Sequence, residues 1–351
     1  MKTNIVREAP NIYSTIKKTN LKTFSSLGSK VTSKSSKGQL VAMKNSKILF
    51  VKMVLIAKSR KLHIEDVLKY SLRPFPSSLA TLEGDLIKTQ KSKLLEAVEN
   101  EADSPTVPNR PDGDNACVLD AFAILQTLTS VPDSFGELSK QLLVKVVNYA
   151  RGSKCKRVDF MCDRYPQQSI KSLERNHRST QDVQKVKIYS MAQKVPRQWK
   201  KFLSCGENKE ELIKFIYTSW MKADPTLLRG IEVYLSHEEL CHKFIATGGL
   251  LTCHEVDELK CDHEEADTRM LTHACHASQL YDNIVIKSPH TDAFLTALNA
   301  SLEINASLFF ETGVGNRRRI ISLNLIKQCI GYQWCSALIG LHAFTGLIQS
   351  S

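Results

Sequence analysis

Residues 117–124, CVLDAFAI, are the part of this chain that best reveals its fold. The apolar residues at 116–119 predict a short buried strand, and Asp120 stands where that strand would give way to a helix. The next elements predicted are a helix at 138–149, with its apolar residues on one side, and a second strand at 157–162. A strand, a helix and a strand in succession are typical of an α/β fold with a mainly parallel sheet.

The same alternation continues along the rest of the chain. Further strands are predicted at 230–235, 250–253, 283–286 and 307–310, and further helices at 169–178, 208–220, 264–278, 292–299 and 323–330. We therefore expect a mainly parallel central sheet that is flanked by helices. Apart from the strand at 230–235, residues 225–242 have no pattern that predicts a structure.

Composition divides the chain into three regions. Residues 1–45 are rich in Lys, Ser and Thr and poor in apolar residues, which is typical of a disordered basic tail. Residues 46–115 begin with helical apolar spacing and end in EADSPTVPNRPDGDN (101–115), whose prolines, glycine and acids are typical of a linker. We assign them as a helical accessory segment and linker, and residues 116–351 as the main domain.

The net charge of +12 belongs to the N-terminal tail. The first 60 residues hold 13 Lys and Arg and a single acid, Glu8, so the remainder of the chain is neutral overall. Such an arm can hold nucleic acid through release of counterions or serve as a nuclear address, and a merely solubilising leader is an equally open interpretation. An organellar transit peptide is a third interpretation. We expect an intracellular protein, nuclear rather than cytoplasmic.

The apolar runs and the cysteines narrow the class of protein. The most apolar early run, residues 48–57, is too short to span a bilayer and contains Lys52, so no membrane partner is expected. The ten cysteines are scattered without the close spacing of a disulfide framework, which predicts reduced thiols. A zinc site is an alternative where Cys and His crowd together between 253 and 276, although no CxxC pair anchors it.

Acidic residues cluster beside the predicted strands and helices. Asp120 follows the first strand, Asp163 the second and Asp292 a later one, while the HEEADTR run falls at a helix start. In that run Glu264 and Asp267 are three residues apart, which would place them on one helical face. The carboxyl ends of parallel strands share one edge of a sheet, so we expect the carboxylates to converge. Convergent carboxylates favour Mg²⁺ or Mn²⁺, and two such ions would activate water against a phosphodiester.

A basic helix is predicted directly after Asp163. In SIKSLERNHRS, Lys171, Arg175 and Arg178 recur at helical spacing, and cations there could bind phosphate oxygens next to the metal ions. The simpler alternative is that this stripe is only the solvated face of a helix. Its position after Asp163 favours the binding of nucleic acid.

Five blocks of sequence, taken in order, resemble a known nuclease family. They are CVLDAFAILQ, CDRYPQQSIKSLERNHR, HEEADTRMLTHACHAS, IVIKSPHTDAFLTAL and LIGLHAFTG. Over residues 46–346 they resemble the PIN-like fold of the flap-endonuclease and related structure-specific nucleases. They are more similar still to a group of uncharacterised, repeatedly duplicated animal proteins associated with mobile elements. The resemblance implies a divalent-metal nuclease, with DNA favoured over RNA as its partner.

The resemblance also assigns roles to single residues. It implies that the metal ions, Mg²⁺ or Mn²⁺, are bound by the acids Asp120, Asp163, Glu265, Asp267 and Asp292. Lys171 and Arg178 resemble the basic residues that hold the scissile phosphate. Asp159 and Glu264 have no clear role in the family, so we expect them to be solvated or to cap helices.

The chain departs from the family pattern at two positions. His290 stands where the relatives have the first acid of SPDTD, and Ile348 stands where FTGCD would supply a metal-binding aspartate. Imidazole brings no negative charge and isoleucine no ligand, so we predict a weakened second metal site and weakened activity. Because the relatives continue into helices that clasp DNA, the domain is predicted to be truncated. The alternatives are a catalytically inactive module that binds nucleic acid or other partners, and a relic of a mobile element.

Overall fold

The computed structural model describes residues 48, 50–63, 65, 66, 91–102, 105–107, 110–166 and 184–350, with side chains of the last helix up to residue 342. The predicted tail at 1–45 and the predicted helix at 169–178 lie outside these residues. The chain divides into two compact units, one of Met1–Thr89 with Gly346–Ser351 and the other of Gln90–Thr345. In the first unit residues 50–59 are helical, as their apolar spacing predicts.

In the described part of Gln90–Thr345, nine strands form one sheet. The strands are β1 (Thr106–Val107), β2 (Asn115–Asp120), β3 (Cys155–Met161), β4 (Glu232–His237), β5 (Leu240–Thr247), β6 (Leu250–Glu255), β7 (Asn283–Lys287), β8 (Ser307–Thr312) and β9 (Arg319–Ser322). Their order across the sheet is β1-β9-β8-β7-β2-β3-β4-β5-β6. β2 is therefore central, and its Leu119 is paired with Phe160 of β3 and Lys287 of β7.

The sheet is mixed, so the prediction of a mainly parallel sheet holds only for its centre. β8, β7, β2, β3 and β4 run parallel, whereas β9 and β1 on one side and β5 and β6 on the other are joined antiparallel. For β4, β5 and β6 the reason is local, since strands joined by two-residue turns must be antiparallel. Gly248 and Gly249, at φ +60° and +78°, make such a turn between β5 and β6.

Helices cover both faces of this sheet. They are α1 (Lys91–Glu101), α2 (Ala121–Gln126), α3 (Phe135–Gly152), α4 (Trp199–Phe202), α5 (Gly206–Trp220), α6 (Ala266–Ala277), α7 (Thr291–Ala300), α8 (Leu323–Ile330) and α9 (Tyr332–Ser350). The apolar sides of α3 and α5 pack with alternate residues of β2 and β3 into one buried core. The remaining alternate residues form a second core with α1, α6, α7 and α8. The α/β prediction is therefore confirmed at this level.

The predicted linker at 101–115 belongs in part to the folded unit. β1 lies within it and pairs with β9, and Arg110 forms an ion pair with the buried Glu311 at 2.8 Å. β-branched residues such as those of β1 suit a strand, and prolines fit beside an edge strand because it needs fewer N–H donors. β1 and Arg110 therefore contact elements of the unit Gln90–Thr345.

The structure also bears on the predictions for membranes and cysteines. Among the described residues, no helix is long and apolar enough to cross a membrane. All ten cysteines are free thiols, and half of them are buried.

Candidate functional site

Asp120 ends β2 and caps the helix that follows it. Its backbone is extended (φ −71°, ψ 113°), and its Oδ1 accepts a hydrogen bond from the N–H of Ala123 at 2.9 Å. Its Oδ2 accepts one from the hydroxyl of Ser288, which directly follows β7, at 3.3 Å. Only 5% of Asp120 is exposed, so its carboxylate is held at the carboxyl ends of two adjacent strands.

Asp163 follows β3 and connects it to α6. Its Oδ1 accepts a hydrogen bond from the N–H of Ala266, the first residue of α6, at 2.9 Å. Its Oδ2 accepts one from the hydroxyl of Tyr165, also at 2.9 Å. The carboxylate thus satisfies an N–H at a helix start, where no intrahelical partner exists.

Two further predicted ligands stand at the start of α6. Glu265 immediately precedes the helix with an extended backbone (φ −96°, ψ 140°), and Asp267 lies in the first turn, where the helix dipole favours a carboxylate. Glu264 lies outside the helix, so the prediction that Glu264 and Asp267 share a helical face is wrong. The helix begins later than predicted because Asp163 caps it at Ala266.

Asp292 lies in the first turn of α7 and contacts the last helix. Its Oδ1 is 2.7 Å from Nε2 of His342 in α9. His342 belongs to the LIGLHAFTG block, for which the sequence predicted no role at this residue. The imidazole therefore occupies one oxygen of a predicted metal ligand.

The pKa values of these acids indicate that they share one electrostatic neighbourhood. Burial raises the pKa of Asp120, and the charge of Asp163 raises it further. Burial raises the pKa of Asp267 to about 7. Three other carboxylates add to that rise, those of Asp120, Asp292 and Glu265. Mutual repulsion thus links all five of the predicted acidic ligands, which come from four separate parts of the chain.

His290 lies next to these carboxylates. Its Nε2 is 3.7 Å from Oδ2 of Asp120, and its main-chain N–H donates to the hydroxyl of Ser288 at 3.2 Å. Its charge acts to lower the pKa of both Asp120 and Asp267. A protonated imidazole therefore offsets part of the repulsion at the position where the resemblance implies an acid.

The donor atoms suit a hard cation, but they do not form a closed cage. All five predicted ligands offer carboxylate oxygens, the donors that Mg²⁺ and Mn²⁺ prefer. In the described part of the chain, however, no group of three or more His, Cys, Asp or Glu side chains is positioned to hold a metal ion. Both oxygens of Asp163 and one of Asp292 already accept hydrogen bonds or contact an imidazole. Ion binding would therefore require side chains to rotate towards a common point.

An open cavity of about 700 Å³ adjoins Asp163. Its lining includes Tyr165 and His237 together with the acids Glu207, Glu210, Glu211, Glu238 and Glu239. Burial raises the pKa of Glu210, and two acidic neighbours raise it further. Arg164 and Lys214 also line it, but the acids outnumber them, so the surface favours cations over anions.

Asp159 is neither solvated nor a helix cap, contrary to the prediction. It is fully buried within β3, where its two oxygens accept hydrogen bonds from Arg157 at 2.8 and 2.7 Å. His273 lies 3.1 Å from its Oδ2, and His276 lies 2.8 Å from Arg157. Residues i and i+2 of a strand share a face, so the RVD pattern itself indicated this ion pair. Two of the histidines considered for zinc thus belong to a buried charge network.

Glu264 was expected to be solvated or to cap a helix, and several other predicted residues lie beyond the described part of the chain. Glu264 is half-buried, and its Oε2 has no hydrogen-bond partner among the described residues. The predicted phosphate-binding residues Lys171, Arg175 and Arg178 lie outside the described residues, and so does the side chain of Ile348.

Three supporting side chains of the site escaped the sequence reasoning. Ser288 donates to Asp120, Tyr165 donates to Asp163, and His342 contacts Asp292. A signal existed for the first two, because Ser288 directly follows a strand and Tyr165 is two residues from Asp163. His342 is fifty residues from its partner, so only the fold reveals that contact.

In comparisons with known proteins, no protein-family model matches the chain and no curated protein matches it significantly. The site is therefore interpreted from its own chemistry.

Proposed function

We propose that this chain is a divalent-metal-dependent nuclease with a PIN-like fold of the flap-endonuclease type, acting on DNA in preference to RNA. The observation that carries the proposal is the grouping of five carboxylates around the ends of central parallel strands. Their repulsion contributes to the pKa of about 7 at Asp267. A bound divalent cation would relieve that repulsion, which gives the cluster a chemical purpose.

In this proposal each group has a defined role. The ions, Mg²⁺ or Mn²⁺, would be held by Asp120, Asp163, Glu265, Asp267 and Asp292 and would supply an activated water for phosphodiester hydrolysis. Ser288 and Tyr165 orient two of these carboxylates by donating hydrogen bonds to them. Lys171, Arg175 and Arg178 would contact the phosphates of the substrate. No covalent nucleophile is needed.

The proposed activity is weaker than that of a site with a full set of acids. His290 lies 3.7 Å from Asp120, where an acid would add negative charge to attract a second ion. The imidazole can still serve as a neutral ligand, which makes Mn²⁺ a better cofactor than Mg²⁺ here.

A second candidate function is a catalytically inactive module that binds nucleic acid, including a relic of a mobile element. Two observations favour it. Nε2 of His290 and of His342 lies 3.7 and 2.7 Å from a carboxylate oxygen of Asp120 and Asp292, so imidazole groups already neighbour two of the five acids. Among the described residues, moreover, no side-chain group is preassembled to hold one.

A cleavage assay separates the two candidates. Plasmid DNA and a flap-bearing oligonucleotide are incubated with the full chain and Mg²⁺ or Mn²⁺, beside Asp163→Ala and the exposed-surface control Asp112→Ala. We expect the wild type and the control to cleave, and Asp163→Ala to lose more than about a hundredfold in rate, the upper range for groups that only support a ligand. Cleavage no faster than that of Asp163→Ala would eliminate the nuclease and leave the binding module.

A further inference from the structure

Glu311, in β8, gathers an unusual number of hydrogen-bond donors. Its Oε1 accepts from Lys287 Nζ and Arg318 Nε, each at 2.9 Å. Its Oε2 accepts from Arg110 Nη2 and the Tyr149 hydroxyl at 2.8 Å, and from Arg318 Nη2 at 3.0 Å. These five hydrogen bonds exceed the four lone-pair positions of one carboxylate. The donors around Glu311 are therefore more numerous than it can satisfy well.

The positive charge around Glu311 is also in excess. Arg110, Lys287 and Arg318 surround this single carboxylate, whose side chain is fully buried. Lys145 stands four residues before Tyr149 on the same face of α3, and the ring of Tyr149 contacts Lys287. Burial lowers the pKa of Lys145, and the charge of Lys287 lowers it further. In the described part of the chain, Glu311 is the only acid that forms ion pairs with Arg110, Lys287 and Arg318, and Lys145 forms none. One negative charge thus faces four positive charges.

The cluster keeps unused donors and access to solvent. Arg110 Nε is buried and has no hydrogen-bond partner among the described residues. A buried N–H without a partner is rare, and the described residues supply no acceptor for this one. The side chains of Lys287 and Arg318 are 32% and 44% exposed, so an acceptor can reach them from solvent.

The cations are held in place before any ligand arrives. The ring of Tyr149 lies 4.7 Å from the guanidinium carbon of Arg110 and 4.3 Å from Nζ of Lys287. The loop that returns Arg318 to Glu311 turns at Gly313, where φ is +82° and a Cβ atom would collide with the carbonyl of Arg317. Side chains already fixed in position lose little entropy when they bind.

We propose that Arg110, Lys145, Lys287 and Arg318 form a binding site for a phosphate group, and that this phosphate belongs to a nucleic-acid backbone. A carboxylate with a purely structural role would need one cation. The surplus positive charge, the Nε of Arg110 and the exposed donors of Lys287 and Arg318 are suited to binding an oxyanion. The site differs from the predicted helix at 169–178. Lys287 ends β7, and the next residue, Ser288, bonds Asp120.

The identity of the ligand as nucleic acid depends on the proposed function, but the test does not depend on catalysis. Binding of a fluorescein-labelled single-stranded oligonucleotide to the full chain is measured by anisotropy in EDTA at several salt concentrations. The variant Lys145→Gln/Lys287→Gln removes two cations while Arg110 and Arg318 still satisfy Glu311. We expect its affinity to fall about tenfold and the salt slope to shrink by about 1.4, at about 0.7 per phosphate contact.

A matched control removes two lysines elsewhere. Lys154→Gln/Lys156→Gln makes the same charge change near the opposite end of the strands, where both lysines pair with exposed acids. We expect this control to keep the affinity and salt slope of the wild type. If both double variants bind as the wild type does, or both weaken equally, the proposed site is refuted. Should Lys287→Gln impair folding, the single change Lys145→Gln, which breaks no hydrogen bond, replaces the double variant and is compared with the same control.

A third measurement identifies the source of the phosphate. Inorganic phosphate is titrated against the thermal unfolding of the wild type and of Lys145→Gln/Lys287→Gln. Stabilisation of the wild type alone, with unchanged oligonucleotide binding, assigns the site to a free phosphate and refutes the nucleic-acid backbone. If Lys145→Gln/Lys287→Gln loses oligonucleotide binding and the wild type does not cleave, this site is supported and the nuclease is refuted. If the wild type cleaves and the double variant binds the oligonucleotide as the wild type does, the nuclease is supported and this site is refuted.

Discussion

The fully buried carboxylate Glu311 and the half-buried carboxylates around Asp120 experience opposite electrostatic environments. Burial alone would raise the pKa of Glu311, but hydrogen bonds from Arg318 and the charge of Lys287 lower it to about 2. Burial raises the pKa of Asp267 to about 7, and the nearest counter-charge is a single histidine, His290. The fold therefore provides counterions for one group of acids and very little for the other. Natural proteins seldom bury repelling carboxylates without a functional reason.

Asp159 extends this comparison to a third carboxylate. It is as deeply buried as Glu311, and its pKa is lowered because the charge of Arg157 outweighs the effect of burial. Asp159 and Glu311 are thus structural acids paired with cations of the protein, whereas under the proposed function Asp120 and Asp267 would receive their cation from solution. The following predictions test whether this division is real.

The largest effect is expected at the structural ion pair. Asp159→Ala should lower the free energy of unfolding by about 3–5 kcal/mol, because Arg157 is left buried and unpaired. Urea unfolding near neutral pH measures the change. Asp112→Ala, which removes the exposed partner of Lys154, should have no measurable effect. Equal losses in the two variants would mean that burial does not distinguish these pairs.

The second prediction concerns pH and Glu311. Its folded-state pKa of about 2 lies below the value of about 4.3 in an unfolded chain, so ionised Glu311 stabilises the fold by about 3 kcal/mol. That contribution is complete above pH about 4.3 and is lost as the pH falls towards 2. The difference in stability between the wild type and Glu311→Gln should therefore shrink over this range. A constant difference would show that the hydrogen bonds, not the charge, matter.

The sequence predicted the parallel centre of the sheet and the acids that lie beside it, but not the difference between the two groups. Asp120 in VLD (118–120) and Glu311 in FET (310–312) are both acids at or near the end of an apolar strand. Their neighbours in sequence do not distinguish them. The cations of Glu311 come from positions as distant as Arg110, 201 residues away. Only the order of strands, with β8 beside β7 and β9, brings them together.

The hairpin strand β5 was another part that the sequence left undefined, although strands overlapping β4 and β6 were predicted. β5 has polar and apolar residues in a half-buried alternation that includes His242 and Lys243, so a hydrophobic pattern is weak there. Its place is set by hairpin pairing with β4 and β6, its neighbours along the chain, which the periodicity of β5 itself does not contain.

The third prediction reverses the sign of the stability effect. Asp267→Asn should stabilise the metal-free protein by about 2 kcal/mol above pH about 7, a figure reduced from the full pKa shift because the side chain is partly exposed. A raised carboxyl pKa costs stability as the pH rises from about 4 to about 7, so the gain should vanish below pH about 4. Thermal unfolding at pH about 8 and about 4 measures it. A destabilised variant at pH about 8 would place Asp267 among the structural acids.

Metal binding gives the same variant a second readout. Mn²⁺ should raise the unfolding temperature of the wild type, by linkage of about 2.7 kcal/mol at a hundredfold excess over Kd, and should have a smaller effect on Asp267→Asn. Identical shifts would locate the bound ion elsewhere.

The smallest effect is expected at His290. His290→Asp places a carboxylate beside Asp120, so it should weaken the metal-free fold above neutral pH and tighten Mn²⁺ binding about tenfold, or about 1.4 kcal/mol. Calorimetric titration of both proteins measures the affinity, with His254→Asp on the edge strand β6 as a control that adds the same charge away from the site. Opposite changes in metal-free stability and metal affinity are the behaviour of acids that depend on an external cation. If the new carboxylate leaves Mn²⁺ affinity unchanged, or if His254→Asp raises it equally, these acids do not form a metal site.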